Sequence, residues 1–150
     1  MSFPHLFQPG LVGRMEVRNR IIGSPMERNY CTVDGRVTQR YIDFLAARAQ
    51  GGVGMMYTEA TYVDARGRAR EFQMGLHDDN LIPALARLAR VVHRHGGRIG
   101  PELVYGGRVV DPAVSGLESR APSAVPYPAG AIAPRPQAPT GSSREELPGL

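Results

Sequence analysis

Three carboxylates and a phenol stand where short apolar runs give way to polar sequence: Glu27 after Arg20–Ser24, Glu59 within Gly51–Val63, and Glu102 and Tyr105 within Ile99–Tyr105. Residues of these types, brought to one end of a sheet, allow two kinds of chemistry. Hard oxygen donors could hold a divalent cation, or they could form the polar rim of a cofactor pocket. The plainer reading is that Glu59 hydrogen-bonds its neighbours and Glu27 is solvated, and both readings stay open on residue types alone. Cys31 is the single cysteine; it excludes an internal disulfide and a cysteine-based zinc site. His93 and His95 are two apart, do not share a helix face, and read as helix-end cations rather than ligands.

The elements that would position these groups alternate. GGVGMMYTEATYV (51–63) reads as a buried strand entered through a glycine pair and left through a polar end, Thr58–Thr61, that exposes chemistry. Before it, Thr38 caps a helix whose Tyr41, Phe44, Leu45 and Ala49 share a face and which stops at Gly51-Gly52. After it, a polar, arginine-rich loop (64–77) leads to Asp78, Asp79 and Asn80, which start a second helix with Pro83 in its first turn. Its apolar face is Ile82, Leu85, Ala89 and Val92, or the overlapping set Leu81, Leu85, Leu88 and Val92. The flanking strands are Arg20–Ser24, stopped by Pro25, and Ile99–Tyr105, interrupted by Pro101. Near-continuous apolar strands separated by helices predict a parallel sheet buried on both faces. Residues 6–19 predict a short hairpin with one apolar face that plugs a larger structure.

The expected organisation is therefore hairpin (6–19), βαβαβ (20–110), and a Pro/Ala/Gly-rich segment (111–150) holding eight of the 13 prolines. That segment reads as a loop over a site or a disordered end. Ser143-Arg-Glu-Glu is a helix-start signal just before the last residue, Leu150, and suggests a further helix. A closed parallel barrel takes about 250 residues and eight strands. These 150 residues would supply three of the strands.

Composition narrows the partners. Hydrophobic content of 42% without a long apolar run, and no leader-like N-terminus, predict a cytoplasmic protein with no membrane partner. All 18 basic residues are arginines, scattered and without interleaved aromatics, so the net charge of +4 predicts no nucleic-acid partner.

The ordered motifs resemble the old yellow enzyme and 2,4-dienoyl-CoA reductase family of FMN-dependent oxidoreductases. They are Leu6-Phe7-Gln8-Pro9, Val12-Gly13, Asn19-Arg20-Ile21-Ile22, Pro25-Met26, Asp34-Gly35 with Thr38, Arg48-Ala49-Gln50-Gly51-Gly52-Val53-Gly54, Thr58-Glu59-Ala60, Val92-His93, Gly96-Gly97, Tyr105-Gly106-Gly107-Arg108 and Ala121-Pro122-Ser123. The resemblance implies the N-terminal part of a TIM (β/α)8 barrel with non-covalent FMN over its mouth. Pro25, Met26 and Glu27 would touch the isoalloxazine, Ala60 would admit it to the second strand, and Glu102 would meet its pyrimidine edge. Val104 and Tyr105 would lie on the substrate side. It further implies NAD(P)H as reductant and an activated alkene as small-molecule substrate, with the family's acid and substrate-anchoring residues beyond residue 150. Such a segment would be inactive alone and could self-associate.

Three positions depart from the family pattern. Glu27 replaces Thr or Cys, Glu102 replaces Gln, and Tyr105 replaces His. An ionised Glu102 would repel the charge of reduced flavin, unless burial and that like charge keep it protonated. Glu102-Leu103-Val104-Tyr105-Gly106-Gly107 is similar to the trimethylamine dehydrogenase branch, which demethylates amines. That branch attaches its flavin through a cysteine at the position of Glu27, so Cys31 is read as a passive thiol. Besides this amine-oxidising alternative, two others stand: a non-catalytic remnant that associates through open sheet edges, and a metal-dependent barrel lyase using Glu27, Glu59 and Glu102.

Overall fold

The structure is a computed structural model that describes residues 3–125 and the backbone of 140–141. The capping-box signal at 143–146 lies outside the described residues, as do six of the eight late prolines. The chain begins with an antiparallel hairpin, β1 (Gly10–Val12) and β2 (Met15–Val17), turning at Gly13-Arg14. Gly13 takes φ 60°, the left-handed conformation such a turn requires. Only part of the expected apolar face is covered. Val17 is buried, whereas Leu11, Val12 and Met15 are exposed.

Three parallel strands follow in the order β3-β4-β5: β3 (Ile22–Gly23), β4 (Met55–Tyr62) and β5 (Arg98–Val104). The first is shorter than the predicted Arg20–Ser24. The amide of Arg20 donates to Leu6 O at 3.0 Å, while Ile21 O accepts from both Gly54 and Met55, so regular pairing starts only at Ile22↔Met55. Pro25 ends it, as expected.

Helix α1 (Gln39–Gln50) has the predicted limits: Thr38 Oγ accepts from the Tyr41 amide, and Gly51 closes the last turn before Gly52 turns away at φ 102°. Tyr41, Ile42, Leu45 and Ala49 form its buried stripe, and Phe44 packs partly against them. Asp78 Oδ1 accepts from the Asn80 amide and opens a single 3-10 turn that continues into helix α2 (Ile82–Arg94). Of the two overlapping faces, the structure selects Leu81, Leu88 and Val92; Ile82 is 55% exposed. The extra 3-10 turn rotates Leu81 inward ahead of the helix proper. His95 is its C-terminal cap, and Gly96 follows at φ 74°. The core joins both helices to Met56, Met74, Val37 and Cys31.

One side chain ties the lower end together. Arg18, leaving the hairpin, donates to His95 O (2.6 Å), Ala49 O (2.5 Å) and Val53 O (2.9 Å). Those carbonyls lie at the ends of both helices and at the entry to β4, so a single guanidinium gathers acceptors from three segments, Ala49 O sharing it with the Gly52 amide. Asn19 beside it donates to Gly52 O and accepts the Ile21 amide. A Cβ at Gly54 would sit 2.5 Å from Asn19 Oδ1 and 2.7 Å from its carbonyl oxygen.

Past β5, Asp111 caps a short helix, α3 (Pro112–Ser115), where a loop or disordered end was expected. Beyond it β6 (Arg120–Ala121) pairs in parallel with β7 (Thr140–Gly141). Among the described residues no helix is long and apolar enough to cross a membrane.

Two substitutions test this lower clamp. Arg18→Ala is expected to lower unfolding free energy by about 2–3 kcal/mol, with Arg18→Lys restoring only part, because Arg18 reaches the carbonyls from two nitrogens, Nη1 and Nη2, and lysine brings its donors on one. Gly54→Ala is expected to cost about 1–3 kcal/mol through the collision with Asn19. Urea unfolding followed by circular dichroism measures both; an unchanged midpoint in either variant contradicts the assignment.

Candidate functional site

The site is built where the strands end, and its geometry turns on an irregularity between β4 and β5. The register runs Tyr57↔Gly100 and resumes at Ala60↔Glu102, so Thr58 and Glu59 together face the single residue Pro101. Proline has no amide to give a ladder, and a bulge is where a sheet tolerates it. The consequence is a change of side. Partners in a parallel register point the same way, so Ala60 shares a face with Glu102, while Thr58 and Glu59 both turn toward the helix layer.

This corrects the expected polar strand end. Thr58, Glu59 and Thr61 are 3%, 1% and 0% exposed, so none is presented to solvent. Glu59 Oε2 accepts the amides of Arg28 (2.7 Å) and Asn29 (3.0 Å), and its Oε1 accepts the amide of Met74 (3.1 Å) and the thiol of Cys31 (3.6 Å). Its own amide donates to Tyr41 Oη at 2.7 Å. A carboxylate so fully engaged has no lone pair left for a metal, and it lies on the opposite face from Glu102. No group of three or more His, Cys, Asp or Glu able to hold a metal ion occurs among the described residues. The three-carboxylate cation site is therefore overturned.

The other predicted residues lie at the strand ends. Pro25 is half-buried and Met26 is 52% exposed just beyond β3. Glu27, expected to be merely solvated on the plain reading, instead pairs with Arg70 Nε at 3.5 Å across a half-open rim. Ala60 is half-buried, and its carbonyl accepts from Gln73 Nε2 at 2.8 Å. Glu102 is exposed at the end of β5. The burial invoked to keep its proton is thus not supplied by the described residues. Val104 is half-buried, and the Tyr105 ring packs on Gly67, where a Cβ would come within 2.9 Å of it. Burial, then the carboxylate of Asp64, raises the Tyr105 pKa, with Arg66 and Arg120 opposing.

Two contributors escaped sequence reasoning. Gln73 is 2% exposed and its Oε1 gathers the amides of Ala69 and Arg70, so it sets the loop that carries Arg70. Arg70 itself was lost among many arginines. Gln73 bonds locally to Ala69 and Arg70, but what makes the pair part of the site is distant: Ala60 on β4 for Gln73 and Glu27 after β3 for Arg70.

On the face shared with Glu102, Ala60 and Gly100 are small, Gly100 lying beside the Tyr57 ring, and residues of this size leave room for a flat ring; Met26, past β3, lines a pocket with Tyr41, Phe44 and Leu45. One edge is less suited: an ionised Glu102 offers only acceptors where a ring carbonyl or nitrogen anion would want a donor. A parallel sheet with small and polar residues at the carboxyl ends of its strands is the arrangement of cofactor-dependent barrel enzymes.

Comparison with known proteins specifies which. Residues 5–139 match the NADH:flavin oxidoreductase / NADH oxidase family, and the chain belongs to that family of FMN oxidoreductases. It is 40% identical over 126 residues to an NADH oxidase of Thermoanaerobacter brockii, covering 83% of this chain and 19% of that protein. Its fold superposes on the old yellow enzyme homologue from Zymomonas mobilis with a TM-score of 0.83 at 28% identity, over 97% of this chain and 41% of the other. It superposes likewise on 2-naphthoyl-CoA reductase, in complex with 2-naphthoyl-CoA, with a TM-score of 0.86 at 25% identity, over 95% and 23%. The chain spans about a fifth to two fifths of the length of these relatives.

The thiol under the site is passive, as expected. Burial, reinforced by the Glu59 charge, raises the Cys31 pKa far above its usual value of 9.0, and burial does the same to the Tyr41 hydroxyl, usually 10.0. Both stay protonated in the folded chain while the unfolded chain ionises. The stability they contribute is present below about pH 9 and is lost as pH rises beyond it, each adding a slope of about 1.4 kcal/mol per pH unit. Urea midpoints from pH 7 to 11 should fall on the alkaline side, less steeply in Tyr41→Phe. Native Cys31 should resist a thiol reagent until urea unfolds the chain; prompt labelling of the folded protein would contradict its burial.

Proposed function

We propose that this chain forms the first three strands and the flavin-side loops of one FMN-binding barrel domain whose whole enzyme passes hydride from NAD(P)H to an activated alkene, such as an enone or a dienoyl thioester. The observation that carries the reading is the bulge in β4, which puts half-buried Ala60 on the face of Glu102 and withdraws Glu59 from it. The resemblance to a reductase seen with an aryl-CoA thioester supports a conjugated thioester among the candidates. Bound FMN would supply the two-electron carrier that amino-acid side chains lack. Pro25, Met26 and Ala60 would support its ring, and the Glu27–Arg70 pair would close one rim. Val104 and Tyr105 would face the substrate.

The substrate-anchoring and proton-delivering residues that the resemblance implies would lie beyond residue 150, so the 150-residue chain alone is expected to be inactive. Three strands with both outer edges open leave Ile22 and Leu103 48% and 64% exposed, and further chain would cover them. A second reading, oxidation of an amine, is favoured by the exposed carboxylate of Glu102 close in sequence to Tyr105, groups that suit a cationic substrate.

The test is a segment exchange. The isolated chain, mixed with FMN and desalted, should be colourless. Residues 5–125, put in place of the matching segment of the T. brockii NADH oxidase, should give a yellow protein that oxidises NADH. Enone, enoyl thioester and tertiary amine substrates then separate the two readings. Glu102→Gln in this chimera should raise the flavin reduction potential, because an amide donor replaces a negative charge. A folded chimera without flavin would defeat the proposal; a yellow, active isolated chain would defeat the inactive-segment part of it.

A further inference from the structure

We infer that Glu59 is the positioning residue of the site: its buried carboxylate joins the β3–α1 loop and the β4–α2 loop into one body, so that Met26 and Glu27 on one loop and Arg70 on the other keep a common placement. Its bearing on flavin rests on the function proposed above; the coupling of the loops does not.

Oε2 serves the β3–α1 loop alone, and Oε1 bridges both loops. Oε2 takes the consecutive amides of Arg28 and Asn29. Asn29 lies at φ 53°, a left-handed turn that brings neighbouring N–H groups to one point and forms a concavity for an anion. Here the occupant is the protein's own carboxylate. Oε1 takes the Met74 amide, at the end of the other loop, and the Cys31 thiol. The backbone of Glu59 is held in turn by the hydroxyl of Tyr41 on α1. Burying a carboxylate is costly unless donors replace its water, and three amides with a thiol do so.

Both loops lead directly to the rim. Arg28 follows Glu27, and Gln73, next to Met74, organises the amide of Arg70, whose side chain pairs with Glu27. The rim ion pair is half exposed and weak by itself. The loops are also joined farther from the rim, by the Cys31 amide to Phe72 O (3.2 Å) and the Gly75 amide to Gly35 O (3.0 Å), and the buried carboxylate extends this joint to Arg28 and Asn29, next to Glu27. The bulge opposite Pro101 is what turns Glu59 toward these amides, so the irregular strand is also the source of the coupling.

Glu59→Gln is the discriminating variant. A glutamine has one acceptor oxygen, and its amide nitrogen cannot accept an N–H. It can satisfy Arg28 and Asn29, or Met74, but not both sides. Amide hydrogen exchange on the full chain, without flavin, should show one side losing protection by about tenfold or more while α1 amides such as Leu45 change far less. Glu59→Ala should release both sides. A uniform loss at Arg28, Asn29, Met74 and Leu45 would reduce Glu59 to general stability and overturn the inference, as would no loss at any of them. Exchange of the unsubstituted chain across low urea needs no variant: the three amides should open in a single event. Different opening free energies and urea slopes for Met74 and for Arg28–Asn29 would overturn the coupling. In the chimera, Glu59→Gln should weaken FMN retention. If the unsubstituted chimera holds no FMN, the flavin reading fails while the exchange result stands on its own.

Discussion

A carboxylate at 1% exposure, surrounded by backbone amides, is the constraint on which the upper half of this molecule depends. Removing Glu59 from water carries a penalty that hydrophobic packing cannot offset, so the chain has to deliver donors to it. Two loops therefore converge on one side chain, and each arrives with a built-in reason: a left-handed asparagine in one, and a glutamine-organised turn in the other. The loops are irregular in outline, yet amides from both are bonded at this one side chain.

Arg18 plays the complementary part below. It collects carbonyl oxygens at the ends of both helices and at the entry to β4, as Glu59 collects amides. Polar groups at the two ends of the strands thus meet opposite backbone needs: a cation among the carbonyls at the foot, an anion among the N–H groups at the mouth. Between them the packing is apolar, with Met56 against Leu45, Leu88 and Val92. The residues proposed to face a cofactor belong to neither clamp. Met26 and Glu102 are exposed, because a surface that must accept a ligand cannot also be spent on holding the fold.

Sequence reasoning located what is encoded locally. Thr38, Gly51-Gly52 and Asp78 mark helix ends through bonds to residues two to four positions away, and the helices begin and stop within a residue or two of those signals. The order of strands followed from helices lying between apolar runs. What stayed hidden depends on partners far along the chain. Pro101 announces an interruption, but which β4 residues absorb it is decided across the sheet, and that decision sends Glu59 to the helix side and Ala60 to the other. Three glutamates at three strand ends looked like one cluster because their position along the strands was read and the side each faces was not. The choice between two faces of α2 was equally undecidable from periodicity, since both sets share Leu85 and Val92; a 3-10 turn ahead of the helix settles it by burying Leu81.

The bulge also explains why a motif that reads as chemistry is architectural. Thr58-Glu59-Ala60 places a polar, an acidic and a small residue in succession, and only the small one lies on the face shared with Glu102. A bulky residue at position 60 would stand up from this face, whereas alanine leaves it flat. The acidic residue is withdrawn beneath, where its charge is matched by amides instead of meeting a ligand. Glu102 is then the carboxylate on the Ala60 face of these two strands. Charge control at that edge falls to one residue, exposed and free of the bonds that commit Glu59 to structure. A family in which this position is usually an amide would tune a bound ring by donating a hydrogen bond there. A carboxylate reverses the sign of that influence, and it does so without disturbing the fold, because nothing in the clamps above or below depends on it.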